Sequence, residues 1–318
     1  MAVSTTKEQF RLFLEKGSIP IFFQDWWLDA VCLSESWDVA LSVNKDGDIM
    51  GVFPYLIKKK GLFDVSIMPP LTPFLGPYVV PFKGVKRVEA YSYYRKVVNG
   101  LIPAVKEVDY FAQKFSPEIK DWYPFYRNGY QQTTSYTYIL DNIRNLEAAW
   151  DGMKNTVRTV IRKTEGNLTV VPLLEPSVLY RLVEETFSRQ KLPVPYEEKV
   201  LHNIWDECRA RDCGFMMQAQ DSQGKTHAAI MIVRDESVAY NLVIGVSEED
   251  KNSGAVQRLI WEAIKKSSES VDVFNFEGSM LPHIEPVFRH FGGELTPYFR
   301  ISRDKNAFVK GVRNVLRK

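Results

Sequence analysis

Val271-Asp272-Val273-Phe274-Asn275-Phe276-Glu277-Gly278-Ser279, followed by Pro286-Val287-Phe288-Arg289-His290-Phe291-Gly292-Gly293, is the stretch on which the fold turns. Its first four residues repeat Val108-Asp109-Tyr110-Phe111 at an offset of 163. Each copy follows a helical stretch and precedes a serine, Ser279 in one case and Ser116 in the other. Pro286-Val287-Phe288-Arg289 repeats Pro124-Phe125-Tyr126-Arg127 at 162, Gly292 repeats Gly129 at 163, and Tyr298 repeats Tyr136 at 162. Several matches in one order at a nearly constant offset point to two copies of one supersecondary unit.

The surroundings of the two copies agree. In the first half, Asp25 to Leu33 and Tyr91 to Val105 read as helices, and Trp37 to Val43 and Ile49 to Ile57 as strands about the turn Lys45-Asp46-Gly47. A buried strand from Asp109 to Phe115, a helix around Trp122 to Arg127 closed by Asn128-Gly129, and an alternating strand from Thr134 to Leu140 complete it. Five prolines between Val65 and Phe82 forbid a regular central element there and leave either an aromatic loop over a cleft or a surface connection. In the second half, Val178 to Phe187 and Val200 to Cys208 show helical apolar periodicity. Strands follow at Phe215 to Gln220, Ala228 to Arg234 and Val238 to Val246, then a helix from Ala255 to Lys266 and the strand from Val271 to Phe276. A hairpin followed by a helix that crosses to a parallel neighbour is an α+β, mixed α/β order. The expected division is a domain over 1–145, a second over 146–303, and a basic amphipathic helix over 304–318.

Composition fits that division. The chain has 318 residues, about two domains at ~150 residues each. It is 45% hydrophobic and 25% charged, which excludes disorder and disulfide scaffolds. Its 41 lysines and arginines against 39 acids give +2, so no global field holds a nucleic-acid polymer, and DNA is not an expected partner. Cys32, Cys208 and Cys213 form no CxxC and read as buried thiols of a reducing compartment. Met1 to Phe10 lack a signal-peptide pattern and no apolar run reaches membrane-spanning length, so the expected location is the cytoplasm.

The element order resembles the acyltransferase fold of GNAT N-acetyltransferases, and two copies in one chain resemble the tandem arrangement of the Fem (FemAB-like) peptidyltransferases. Val157-Arg158-Thr159-Val160-Ile161-Arg162-Lys163 is similar to the basic helix that opens the second Fem domain. The stretches Phe274 to Ser279 and Pro286 to Gly293 are similar to the closing strand, Gly-Ser turn and F-x-x-x-F-G segment of that family. Gln24-Asp25-Trp26-Trp27-Leu28 and Gly51-Val52-Phe53-Pro54-Tyr55 resemble its opening elements. The resemblance implies two tandem GNAT-like domains, each a mixed, mostly antiparallel sheet flanked by helices. It also implies transfer of an acyl or aminoacyl group, from acyl-CoA or aminoacyl-tRNA, to a small-molecule amine acceptor.

The family's acyl-CoA branch cradles pyrophosphate in a glycine-rich loop at a helix N-terminus. Only Gly254 and Ala255 match that pattern here, as candidate cofactor-binding residues, and Glu248, Glu249 and Asp250 stand where a diphosphate approaches. Lys154, Arg158 and Arg162 recur at four-residue steps on one helix, with Lys163 adjoining; they form either a phosphate or carboxylate clamp or a solvated face. By resemblance the acyl group lies where Val238 to Val246 and Val271 to Glu277 part, which makes Tyr240 and Glu277 candidate catalytic residues and Asn241 and Ser279 candidate binding residues. Glu277 before a Gly-Ser turn is placed to deprotonate an incoming amine; the alternative is a salt bridge to Arg289 or a turn cap. His202, His227, His283 and His290 show no metal-ligand spacing, and no metal is expected. The tail from Asp304 places Phe308, Val312, Val315 and Leu316 on one helical face among basic residues, as a docked helix or as an RNA- or membrane-facing one. Tandem-domain acyl transfer without metal is the expected function, with an ordinary acyl-CoA N-acetyltransferase or a non-catalytic binding module on the same fold as alternatives.

Overall fold

A computed structural model describes residues 6–17, 19–33, 36–278, 280, 282 and 284–315. The chain divides into two compact units, Met1–Ser135 with Pro297–Lys318, and Tyr136–Thr296. The chain leaves the first unit within one strand and returns to it within another, so the closing strand of each half is built into the opposite unit.

The first unit opens with helices α1 (Thr6–Leu14) and α2 (Asp25–Cys32). The hairpin β1 (Ser36–Val43) and β2 (Ile49–Lys60) follows, then β3 (Phe63–Ser66), the short β4 (Tyr78–Val79), α3 (Arg87–Leu101), β5 (Tyr110–Lys114) and α4 (Tyr123–Arg127). Strand β6 (Gln131–Leu140) carries the chain into the second unit, which contains α5 (Leu146–Gly152), α6 (Asn155–Thr164), β7 (Thr169–Pro172), α7 (Pro176–Arg189) and α8 (Glu198–Ala210). There β8 (Gly214–Gln220), β9 (Thr226–Arg234) and β10 (Val238–Val246) form an antiparallel meander. Helix α9 (Ala255–Ser268), β11 (Val273–Asn275) and α10 (Glu285–Arg289) come next. Strand β12 (Glu294–Asp304) then returns the chain to the first unit, which α11 (Ala307–Val315) closes.

Strand pairing in each unit is antiparallel except at one pair. In the first unit β1, β2 and β3 pair antiparallel, β3 pairs parallel with β5, and β12 pairs antiparallel with β5. In the second, β7, β8, β9 and β10 pair antiparallel, β10 pairs parallel with β11, and β6 pairs antiparallel with β11. The parallel pairs are joined by α3 and α9, because parallel neighbours need a long crossover. Strand β11 starts 163 residues after β5, α10 162 after α4, and β12 163 after β6, the spacing read from the sequence.

Helix α9 buries Ala255, Leu259, Ile260, Ala263 and Ile264 against the sheet residues Ala228, Ile230, Ile232, Phe274 and Tyr138. That i, i+4, i+5, i+8 spacing makes the helix and fixes its orientation. On the other face α7 lies so close to β10 that a Cβ on Gly245 would sit 2.7 Å from Leu182 Cβ and 2.8 Å from Val183 N. The first unit packs Phe53 edge-to-face with Phe111, Phe115 and Phe125, beneath Val97, Val98 and Leu101 of α3. Most of the proline-rich segment is packed against its unit, and its end at Pro81 and Phe82 is exposed. Phe74 and Leu75 are buried, Thr72 accepts the Trp27 indole N–H at 3.1 Å, and Leu75 donates to Lys114 O at 2.8 Å. Helix α11 docks through Val309 onto Val65, Tyr110 and Ala112, and Arg313 pairs with Asp304 at 2.8 Å. Phe308 and Val315 stay exposed; Leu316, Arg317 and Lys318 lie outside the described residues.

Candidate functional site

The site is built where β10 and β11 part. Their parallel register runs Val238↔Val273, Ala239↔Phe274 and Tyr240↔Asn275, and stops there. Beyond it β10 keeps its pairing with β9 through an irregularity between Asn241 and Val243. The other chain turns toward β6 instead, with Phe276 donating to Tyr138 O at 3.0 Å. A bulge of this kind bends its strand and ends pairing. Asn241, which opposes Ile232, is 4% exposed, and its Oδ1 is buried with no hydrogen-bond partner among the described residues. An orphaned acceptor of that sort costs roughly 1–3 kcal/mol unless something donates to it.

Glu277 follows at once, held in the left-handed region at φ 55°. Three hydrogen bonds fix it there. Its N–H donates to Asn275 Oδ1 at 2.9 Å, the Thr137 hydroxyl donates to the same oxygen at 2.7 Å, and Gly278 N–H donates to Thr137 Oγ1 at 2.9 Å. Thr137 and Asn275 are buried, so these bonds are shielded from water. Gly278 is required by contact: a Cβ there would lie 2.4 Å from Thr137 Cα. Sequence reasoning missed Thr137 and Asn275 as site residues. The available signal was an asparagine inside an otherwise apolar strand.

The sequence candidates fall into two groups. Tyr240 and Asn241 lie on β10 where it leaves β11, and Glu277 stands two residues past Asn275, the last parallel partner; the Tyr240 hydroxyl donates to Asp235 Oδ2 at 3.0 Å. Arg289 pairs with Glu285 at 2.9 Å. Glu285 also accepts from the Tyr138 hydroxyl, which together with Arg289 holds its carboxyl below the ordinary carboxylate range. Ser279 and His283 lie outside the described residues. The second group is on α6. Arg158 reaches Asp151 at 2.9 Å and also Asn155, and Arg162 stacks on the Trp150 ring at 5.3 Å. Lys154 donates its backbone N–H to His290 O at 2.9 Å. Burial, and then the nearby charges of Lys154 and Arg289, push His290 below its ordinary pKa.

Gly254 and Ala255 begin α9 beside that helix. Gly254 has φ 83°, and a Cβ on it would sit 2.7 Å from Val160 Cγ1 and 2.8 Å from Thr164 Cγ2. Close packing on α6 therefore accounts for this glycine. The carboxylates before it are all paired. Glu248 meets Lys251 at 2.6 Å and Arg189 at 3.3 Å, and Lys225 holds Glu249 at 2.7 Å and Asp250 at 2.8 Å. Those contacts hold Glu248 and Asp250 below the ordinary carboxylate range. A charged cavity of about 660 Å3 opens beside them, lined by Glu184, Glu185, Ser188, Arg189, Glu248 and Lys251. Among the described residues no group of three or more histidine, cysteine, aspartate or glutamate side chains is placed to hold a metal ion.

No family model matches the sequence, and no curated protein matches it either. Solved structures do. FemX is similar over 93% of this chain and 96% of its own, with a TM-score of 0.64 at 13% identity. L-PGS from Bacillus licheniformis is similar over 100% of this chain and 98% of its own, at TM-score 0.55 and 12% identity. A tandem GNAT protein from the clavulanic acid biosynthesis pathway is similar over 94% of this chain and 93% of its own, also at 0.55 and 12%. At such identities the likeness is one of fold. The parallel pair in each sheet, the crossover helix joining it and these neighbours together show that the chain has the Fem-like/GNAT acyltransferase fold.

Proposed function

We propose that this chain is an acyltransferase built from a tandem duplication, and that it moves an acyl or aminoacyl group onto an amine at the parted ends of β10 and β11. The observation that carries the reading is the buried, unsatisfied Asn241 Oδ1 where β10 leaves β11, together with a glutamate held in the left-handed region just past the end of β11. Strain and an orphaned polar group in one place mark positions kept for something other than stability. In the proposed reaction the Glu277 carboxylate takes a proton from the acceptor amine as nitrogen attacks the acyl carbonyl. Backbone N–H groups freed where the strands part stabilise the oxyanion, and Asn241 orients a donor N–H. Alignment of the two substrates supplies most of the rate. Tyr240 walls the site, since acting as an acid would require giving up its bond to Asp235.

Aminoacyl-tRNA is the favoured donor, with the reaction in the cytoplasm where charged tRNA is made. The helix-packing role of Gly254 removes the main sequence reason to expect acyl-CoA. Lys154, Arg158 and Arg162 would then meet the donor's phosphates. The test is transfer of radiolabelled amino acid from a charged tRNA pool to a panel of amine acceptors, with Glu277→Gln expected to stop turnover and Lys154→Glu/Arg158→Glu to abolish the gel shift of the tRNA. Micromolar acetyl-CoA binding by calorimetry, with transfer of its acetyl group to an amine, would instead establish an acyl-CoA N-acetyltransferase. Binding of either donor without turnover would establish a binding module.

A further inference from the structure

Helix α8 ends in a Schellman motif, and the motif brings two cysteines together. Asp212 takes the left-handed residue's place with φ 49°. Cys213 N–H donates to Cys208 O at 3.0 Å and Asp212 N–H to Arg209 O at 3.4 Å, the six-to-one and five-to-two bonds that define this helix stop. In such a stop the side chains of the first and sixth residues touch, usually as an apolar contact. Here they are Cys208 and Cys213, close enough for each thiol to shift the pKa of the other. Gly214 makes room: a Cβ on it would stand 3.0 Å from Cys208 Cβ and 3.5 Å from its Sγ. The turn is braced by Arg234, whose guanidinium donates to Asp212 O at 2.6 Å and whose backbone N–H donates to Cys213 O at 2.8 Å.

The two thiols are unequal. Cys208 is fully buried, and Cys213 is partly exposed. The neighbouring Cys208 thiol and the charges of Arg211 and Arg234 hold the Cys213 thiol below its ordinary pKa, while the Cys213 thiol and burial push Cys208 up. An accessible thiol of lowered pKa beside a buried partner is the arrangement of an attacking and a resolving sulfur.

We infer that Cys208 and Cys213 are a reversible dithiol–disulfide pair that closes by exchange with a small-molecule disulfide. The Cys213 thiolate attacks one sulfur of the small disulfide, whose S–S bond breaks and releases one thiolate. Cys208 then gives its proton to that leaving thiolate and attacks Cys213 Sγ, expelling the second small thiolate, which takes up the proton that Cys213 released on becoming a thiolate. Two cysteine thiols and one disulfide thus become one protein disulfide and two small thiols, with the protein oxidised by two electrons and the reagent reduced by two. This inference stands on the end of α8 alone and does not depend on the transfer reading.

The folded full-length protein, reduced and then treated with oxidised glutathione without denaturant, tests it by intact mass and tryptic mapping. The expected product is two hydrogens lighter and joins the peptide ending at Arg209 to the peptide beginning at Asp212. Cys208→Ser should stop at a glutathione adduct on Cys213. Cys213→Ser should consume the reagent at least about tenfold more slowly, and Cys32→Ser should behave as wild type. A wild-type protein that stays reduced, that holds a lasting adduct without closing, or that reacts equally well as Cys213→Ser overturns the inference.

Discussion

Replacing Glu277 by glycine separates a strained functional residue from a structural one. At φ 55° a residue with a β-carbon gives up roughly 1–2 kcal/mol relative to a relaxed backbone. The three hydrogen bonds joining Thr137, Asn275, Glu277 and Gly278 offset that cost, at about 0.5–1.5 kcal/mol each. None of the three uses the Glu277 side chain, so all survive its replacement. Glycine relieves the strain but gives back roughly 0.5–1 kcal/mol through its freer unfolded chain. Glu277→Gly should therefore be as stable as the wild type or up to about 1.5 kcal/mol more stable. Glu277→Ala loses the same carboxylate, keeps the strain, and should fall below the glycine variant. Urea unfolding at constant m reads both. Turnover should vanish in each, and in the isosteric Glu277→Gln, since a general base contributes about 10²–10⁴-fold. A glycine variant less stable than wild type by more than about 1 kcal/mol would show that the carboxylate itself holds the fold together. The strain would then not be kept for chemistry.

Gly254→Ala places a methyl group within 2.7 Å of Val160 Cγ1 at φ 83°, so it should destabilise the chain by about 1–3 kcal/mol in urea; an unchanged midpoint would mean that α6 gives way easily. Lys225→Met removes the cation shared by Glu249 and Asp250. Asp250, held below the ordinary carboxylate range mainly by Lys225, adds stability that is present above the unfolded pKa and lost as pH falls through the folded one. The variant's stability should thus decline less on acidification, and a parallel decline in both proteins would rule this out. His290 has its folded pKa below the ordinary 6.5, so it binds fewer protons folded than unfolded, and its contribution is present above 6.5 and lost as pH falls through the folded value. Lys154→Ala should raise the His290 midpoint in an NMR titration, because one of the charges opposing protonation is gone; an unmoved midpoint would leave burial and Arg289 as the whole cause.

The fold was legible wherever a local pattern carries it. Periodicity drew α7, α8 and α9 close to their observed limits, and the repeat anticipated β5 and β11 together with α4 and α10. Short elements escaped, among them α5, β3 and β7, because seven residues or fewer hold too little periodicity to stand out. The site was legible only in part for a related reason. Glu277 announced itself by a Gly-Ser turn, but the bonds that fix it join residues separated by 138 and 141 positions, and strand register between distant segments leaves no mark in a single chain. The cysteines show the opposite failure. Their spacing was plain, yet it was weighed against metal and CxxC patterns, whereas the relevant geometry is the end of a helix, where the first and sixth residues of the stop meet.

The α6 cations look spoken for, yet their present partners are cheap to exchange. Asp151 is 67% exposed on its side chain, and a surface pair of that kind contributes about 0–1 kcal/mol. A donor phosphate that takes over Arg158 therefore forfeits at most about a fivefold factor in affinity. Arg162 need not leave Trp150 at all, since a guanidinium stacked by one face keeps its edge N–H groups for an anion. The carboxylate loop differs. Glu248, Glu249 and Asp250 are cross-linked by Lys251, Arg189 and Lys225, so a diphosphate approaching α9 would have to break several pairs at once while facing the acids left behind. Of the two, Arg158 on α6, held by one exposed carboxylate and by Asn155, is thus the one open to a phosphate, and removing Asp151 should make it more so. Asp151→Ala is expected to tighten tRNA binding up to about fivefold at low salt, and a weaker complex would place the phosphates elsewhere.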